Sequence, residues 1–386
     1  MTSPSHPRDT VDPRAAVPPA PAAEHREAFR AEDAAHRELL HEELEAFLGR
    51  QRGVLAGISP DALPLLESVA QLSAGGKRLR ARLCYWGWRA AGGAAGEPAV
   101  ARAGAALELF QSAALIHDDV IDRSDTRRGA PSVHRRFEAL HAEQDWALDG
   151  PAFGTAAAIL AGDLCLSWSE QLFTAAAGSL PGGARARQVF DLMRSEVMAG
   201  QYLDVQGEVA GAAQDRAGAV DRALDVVRYK SAKYSVEHPV ALGAALAGAD
   251  EDLLARCSAF ALPLGEAFQL RDDVLGVFGD PAATGKPAGD DLREGKRTVL
   301  VGFVRRLGDE EQIARLEQAL GRPDLDAEEV GLLRGIIEDC GALAATEELI
   351  DDLSRRAAAG LDRLGADPVA EAALRALAEA AVRRAA

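Results

Sequence analysis

The run "AGAALELFQSAALIHDDVIDRSDTRR" (Ala103–Arg128) decides the fold. Its first half is apolar in every direction around a 3.6-residue period, so it reads as a buried helix rather than an amphipathic surface one. Its end is acidic. Asp118 and Asp122 lie four apart on one face with Asp119 beside them, and Gly129 and Pro131 predict that the helix stops soon after Asp122. Anions at a helix C-terminus oppose the dipole, and like charges four apart repel. Breaking local rules in this way marks a functional position.

The same violation recurs. "AFALPLGEAFQLRDDVLG" (Ala259–Gly276) is a second apolar helix whose end carries Asp272 and Asp273. A solvated turn, with Asp122 or Asp125 paired to Arg127 or Arg128, would account for one cluster alone. Two clusters of one kind point instead to two groups facing each other across a cavity. All-oxygen donors without a histidine pair suit Mg²⁺, which is held by a few carboxylates together with substrate phosphates.

Around these helices the pattern is helical throughout. "HRELLHEELEAFLGRQ" and "QVFDLMRSEVMAGQYLDVQ" space apolar residues three and four apart, and alternating β-branched runs are missing. "GISPDALP", "AAGGAAGEP", "GSLPGGA" and "GDPAATGKPAGD" punctuate them. The prediction is an all-α bundle, one domain over residues 30–386 with about a dozen helices, preceded by a Pro/Ala-rich disordered tail over 1–29. "EALHAEQDWALDGP" (Glu138–Pro151) is expected to be an irregular surface excursion.

Of 386 residues, 48% are apolar and 27% charged, enough for a large core, and the net charge is -17. That balance argues against nucleic-acid binding, which needs a basic face. It admits an anionic ligand if metals bridge it to carboxylates. Cys84, Cys165, Cys257 and Cys340 are isolated among apolar residues, which predicts reduced core thiols and no zinc site. The N-terminus lacks a signal peptide's apolar core, and no long charge-free apolar run predicts a membrane span, so a cytoplasmic protein is expected.

Three basic segments complement the acids. "GGKRLRARL" (Gly75–Leu83) follows two glycines with Lys77, Arg78 and Arg80; the glycines predict close approach of backbone to a phosphate. "YKSAKYS" supplies Lys230 and Lys233, and "TGKPAGDDLREGKRT" supplies Lys286, Lys296 and Arg297 on a Gly/Pro-rich loop. Each alone reads as ordinary surface.

In this order, "GGKRLR", "LIHDDVIDRSDTRRG", "YKSAKYS", "FQLRDDVLGVFGD" and "GKPAGDDLREGKRT" resemble the motifs of the trans-isoprenyl diphosphate synthases, the polyprenyl synthetase family. They span Gly75 to Thr298. The resemblance implies an all-α bundle around a deep cavity. It implies a Mg²⁺-dependent prenyltransferase joining isopentenyl diphosphate to an allylic diphosphate, with three ions per site, and a homodimer. By it, Asp118, Asp119, Asp122, Asp272 and Asp273 hold metal, while Arg127, Lys230 and Lys286 contact the allylic diphosphate. Lys77, Arg80, Arg128 and Gln111 hold isopentenyl diphosphate. Ser231 and Gln269 lie near the carbocation, and Lys296 lies near the diphosphate.

One departure stands out. Gly276 occupies the fifth place of the second motif, where the family often has aspartate, and Asp290 or Asp291 on the following loop could help that metal site. For product length, the resemblance implies that the residues just before the first Asp pair face the growing chain; Ala113 and Ala114 lie there, one turn before Asp118, where aromatics would stop growth near C15. Phe110, one turn of about 5.4 Å deeper, is expected to set the floor at C20, geranylgeranyl diphosphate; C25 or longer, or C15, are the alternatives. A class I terpene cyclase fits less well, because its second metal motif begins with asparagine and this chain has none. A noncatalytic subunit of a heteromeric synthase would have lost an Asp motif or the lysines, and both remain.

Overall fold

The computed structural model describes residues 23–279 and 289–382. It is helical nearly throughout, as predicted. The first half contains α1 (Ala23–Ile58), α2 (Leu63–Ala74), α3 (Leu79–Ala90), α4 (Pro98–Ile121), α5 (Val133–Glu143), α6 (Gly150–Ala177) and α7 (Gly183–Ala210). Next, α8 (Ala219–Val226) runs through a π-helix, Val227–Glu237, into α9 (His238–Leu246), and α10 (Glu251–Phe278) follows. After the loop come α11 (Asp290–Glu294), α12 (Val299–Leu307), α13 (Glu310–Ala319), α14 (Ala327–Asp339), α15 (Ala342–Asp362) and α16 (Pro368–Val382). Among the described residues the only strands are Thr126–Arg127 and Ala130–Pro131, paired antiparallel.

Two expected boundaries move. Helix α1 begins at Ala23, so the tail cannot extend to residue 29; Phe29 is already core, packed edge-on against Trp86 at 5.5 Å. Residues 1–22 lie outside the described residues. Of the expected excursion, Glu138–Glu143 is helical and only residues 144–149 are irregular. Asp145 and Leu148 take positive φ there, and Trp146 packs edge-on against Phe153.

Helix α4 is the centre of the bundle. Nearly every residue from Ala99 to Phe110 is buried. Its alanines let α6 approach closely enough for the Ser169 hydroxyl to donate to the Ala106 carbonyl at 2.7 Å. Among the described residues, two helices are long and apolar enough to cross a membrane, α4 and α6; the apolar stretch of α4 is 78% buried and that of α6 is 44% buried. Core position, not a lipid phase, accounts for the composition of α4. Cys84, Cys165 and Cys257 are buried, Cys340 is half-buried, and all four are unbridged.

The π-helix is the unusual element. Such wide turns are rare and concentrate at functional sites. It can lie directly against α7 because position 200 is glycine: a Cβ there would come within 2.3 Å of the Lys230 nitrogen. That close approach sets Lys230 opposite the acidic end of α4. Behind it, Phe110, Phe190 and Phe173 form a buried aromatic layer, with Phe173 and Phe190 stacked at 4.1 Å. Replacing Phe190 with alanine is expected to lower unfolding stability by about 3–5 kcal/mol, read by urea denaturation; a loss under about 1 kcal/mol would show that the layer closes over the gap.

Candidate active site

One cavity, about 860 Å³, opens between the ends of α4 and α10. Its wall carries Asp118, Asp272 and Asp273 together with Lys77, Arg80, Gln111, Arg127, Arg128, Lys230, Ser231, Gln269 and Lys296. The two acidic motifs therefore share one space, as their repetition suggested. Lys286 lies outside the described residues.

Helix α4 stops where glycine and proline predicted, with Asp122 as its C-cap. The three aspartates then diverge. Asp118 faces the cavity and accepts a hydrogen bond from Gln201 at 3.0 Å. Asp119 turns inward: it is 1% exposed, absent from the cavity wall, and gripped by the Arg127 guanidinium at 2.8 Å. The structure thus gives Asp119 a different place from that expected of a metal ligand. The two-residue strand pair and the left-handed backbone at Arg123 and Arg128 fold Arg127 back onto it. Asp119 fixes that arginine at the cavity edge. Asp122 is withdrawn from the wall, 3.8 Å from Lys296 Nζ.

Helix α7 adds residues that sequence reasoning missed. Besides Gln201, Asp204 binds Lys230 Nζ at 2.5 Å, and Lys230 also lies 3.5 Å from Asp118. Glu208 follows one turn further on. The signal was present in "GQYLDVQGE": Gln201, Asp204 and Glu208 fall on one helical face, and only the apolar positions of this stretch drew notice.

The charge balance is uneven. Burial opposes ionisation of Asp118, but Lys230, Lys296 and Arg127 outweigh it and hold the carboxyl below its usual range. Burial and the neighbouring Asp118 push Asp122 up to about 6. Burial, Asp204 and Asp122 push Glu208 up to about 7. On the other side, burial and Asp291 push Asp273 up to about 8, although Gln269 donates to it at 2.8 Å. Lys296 is held protonated, against the effect of burial, by Asp291, Glu294 and Asp122.

Asp122, Glu208 and Asp273 are raised first by burial and then by a neighbouring carboxylate, so carboxylates are crowded at this end of the cavity. Among the described residues, no group of three or more His, Cys, Asp or Glu is already gathered as a metal cage. That combination suits Mg²⁺, which keeps waters and takes one or two carboxylates plus phosphate oxygens. The donor set fits the ion.

On the basic side, Gly76 has a positive φ of 103°, lines the cavity, and makes room for a guanidinium: a Cβ on it would lie 2.9 Å from Arg128 Nη2. Arg128 donates to the Leu72 carbonyl at 2.7 Å and is held at the cavity by it. Arg78 is structural, paired with Glu108 at 3.0 Å. Arg80 bonds Ser235 at 2.6 Å and lies over the Tyr234 ring at 4.3 Å. The Tyr234 hydroxyl donates to Gln111 at 2.6 Å.

The chain-length positions separate as well. Ala114 lines the cavity, but Ala113 is 0% exposed and Phe110 1%. Phe110 stands behind Tyr234, edge-on at 5.5 Å, so it supports the wall without forming its surface.

The sequence profile of the polyprenyl synthetase family matches residues 64–337. A solved geranylgeranyl pyrophosphate synthase of Corynebacterium glutamicum, complexed with isoprenyl diphosphate and magnesium, aligns with a TM-score of 0.85 at 37% identity, covering 91% of this chain and 99% of that one. The geranylfarnesyl diphosphate synthase of Aeropyrum pernix is 33% identical over 298 residues, 75% of this chain and 84% of its own. The geranylgeranyl diphosphate synthase of Sulfolobus acidocaldarius is 33% identical over 278 residues, 71% and 76% of the two chains. The fold is that of the all-α isoprenyl diphosphate synthases. The chain belongs to the polyprenyl synthetase family and is a prenyltransferase.

The raised carboxyls predict a pH dependence. A group whose folded pKa is raised contributes stability that is fully present below its unfolded value, about 4 for a carboxyl, and loses it as pH climbs through the folded value. For Asp122, Glu208 and Asp273 that window runs from about 4, the unfolded value, up to about 8. In chelator the melting temperature should fall across this window, and Mg²⁺ with pyrophosphate should flatten the fall. A melting temperature that rises there in chelator contradicts the charge analysis.

Proposed function

We propose that the enzyme condenses isopentenyl diphosphate head to tail with an allylic diphosphate, that Mg²⁺ serves both acidic clusters, and that the main product is geranylgeranyl diphosphate. The observation carrying this is the meeting of Asp118 with Asp272 and Asp273 on one cavity wall that also carries Lys230 and Lys296.

On this reading Asp118 and Asp122, with Asp272 and Asp273, hold the metal ions, and Arg127, Lys230, Lys296 and Lys286 take the allylic diphosphate. Lys77, Arg80, Arg128 and Gln111 take isopentenyl diphosphate. Bound Mg²⁺ would supply Lewis-acid neutralisation of the leaving diphosphate. The chain's own cations add to that stabilisation as the allylic C–O bond breaks and diphosphate departs. Ser231, Gln269 and the Gln111–Tyr234 pair present dipoles toward the allylic cation. The double bond of isopentenyl diphosphate, held against that cation, forms the new C–C bond, and positioning supplies much of the rate. A proton then leaves the isopentenyl carbon skeleton for the departing diphosphate. Ala114, Leu115, Val197 and Phe268 on the wall keep water away.

The C20 product is supported by the small Ala114 on the wall and by the geranylgeranyl diphosphate synthases among the relatives. The geranylfarnesyl diphosphate synthase relative favours C25 as the second reading. We further read the protein as a cytoplasmic homodimer. The half-exposed apolar residues Ile159 and Leu160 on α6 and Leu192, Met198 and Tyr202 on α7 support a shared face of that kind.

Asp118→Ala and Asp272→Ala should each lower kcat by orders of magnitude in a steady-state assay; near-normal turnover in both removes the metal reading. Ala114→Phe should shorten the product toward C15 on sizing by mass spectrometry. Ala113→Phe, at a packed core position, should mainly lower the melting temperature instead. An unchanged product from Ala114→Phe refutes Ala114 as a chain-length wall.

A further inference from the structure

The second acidic motif lacks its outer carboxylate, because Gly276 stands four residues after Asp272 on the same helical face. The space a side chain would fill at that position is not open. A Cβ built on Gly276 would lie 2.0 Å from Asp291 Oδ2 and 2.6 Å from its carboxyl carbon. A carboxylate from another segment therefore sits within one side chain's reach of where an aspartate at 276 would place its own. We propose that Asp291 supplies the missing metal-binding carboxylate of the second cluster, and that glycine at 276 is what admits it. This rests on the reading of the clusters as a metal site.

Two observations carry the assignment. Asp291 is on the cavity wall beside Asp272 and Asp273, whereas Asp290, its equal in the sequence, is not. Its backbone is anchored from several directions. Helix α11 is bracketed by Gly289 and Gly295, both at positive φ (76° and 82°). Leu292 is 1% exposed, its carbonyl accepts from the Gly321 nitrogen at 2.9 Å, and Arg293 donates to the Leu325 carbonyl at 3.0 Å. The Lys296 nitrogen donates to the Asp291 carbonyl at 3.0 Å, and its ammonium lies 3.9 Å from the Asp291 carboxylate. The α11 segment is thus seated to present one carboxylate to the C-terminal part of α10.

The trade has a consequence. A carboxylate at 276 would ride on α10 itself, but Asp291 reaches the cluster only when α11 is seated against that helix. Lys296 lies between Asp291 and Asp122, at 3.9 and 3.8 Å, so the same segment touches both clusters at once.

The test counts Mn²⁺ bound to the full chain in the presence of inorganic pyrophosphate, by electron paramagnetic resonance. Asp291→Asn, nearly isosteric, should weaken binding of the ion at the second cluster about 10-fold or more, the scale of loss seen when metal-supporting groups are removed. Gly276→Ala should do the same with every carboxylate retained, because its methyl displaces Asp291. The exchange Gly276→Asp with Asp291→Gly should restore binding. The proposal is overturned if Asp291→Asn and Gly276→Ala bind Mn²⁺ like the parent while Asp272→Asn is weakened. If Asp118→Asn and Asp272→Asn also bind normally, the metal reading falls with it.

Discussion

Carboxylates of one sign are crowded into a part-buried cavity, and two half-buried lysines keep them there. Two unit charges 4 Å apart interact by about 4 kcal/mol at the effective dielectric of a protein surface, so such crowding needs compensation. Lys230 ties Asp118 to Asp204, and Lys296 lies near Asp122, Glu294 and Asp291. Burial and neighbouring carboxylates still push Asp122, Glu208 and Asp273 upward. Carboxylates crowded beside lysines and arginines make the cavity receptive to divalent cations together with diphosphates.

The rest of the structure serves that arrangement. Helix α4 is uniformly apolar because it is enclosed on all sides, and its acidic end emerges only at the cavity. Gly200 lets the π-helix lie against α7 so that Lys230 reaches both Asp118 and Asp204. Asp119 is used to hold Arg127, and Gly76 makes room for Arg128. Adjacent residues in one motif thus do different jobs: one carboxylate faces ligand, the next positions the cation beside it.

Much of this was legible in the sequence. The helical period, the repeated Asp pairs and the end of α4 at Asp122 follow from local rules that short spacing exposes. What escaped depends on which way a side chain turns or on which segments meet. Asp118 and Asp119 are equivalent in a string of letters, yet one is on the wall and the other is 1% exposed. Ala113 and Ala114 divide in the same way. The juxtaposition of Gly276 with Asp291 is tertiary, so the sequence left Asp290 and Asp291 equal. The packing of Gly75 and Gly76 against Arg128 is tertiary as well, because that partner lies far along the chain. Gln201, Asp204 and Glu208 had a visible helical spacing, but an apolar pattern on the same helix drew attention first.

The central claim is that the two acidic clusters act together, through divalent metal, on a prenyl diphosphate beside isopentenyl diphosphate. Incubating the full chain with isopentenyl and farnesyl diphosphates, with and without Mg²⁺, and sizing the products by mass spectrometry tests it most directly. The account predicts a C20 diphosphate that forms only with the metal. Elongation that proceeds equally in chelator, or conversion of farnesyl diphosphate to an alcohol or cyclic hydrocarbon with no C5 unit added, would contradict it.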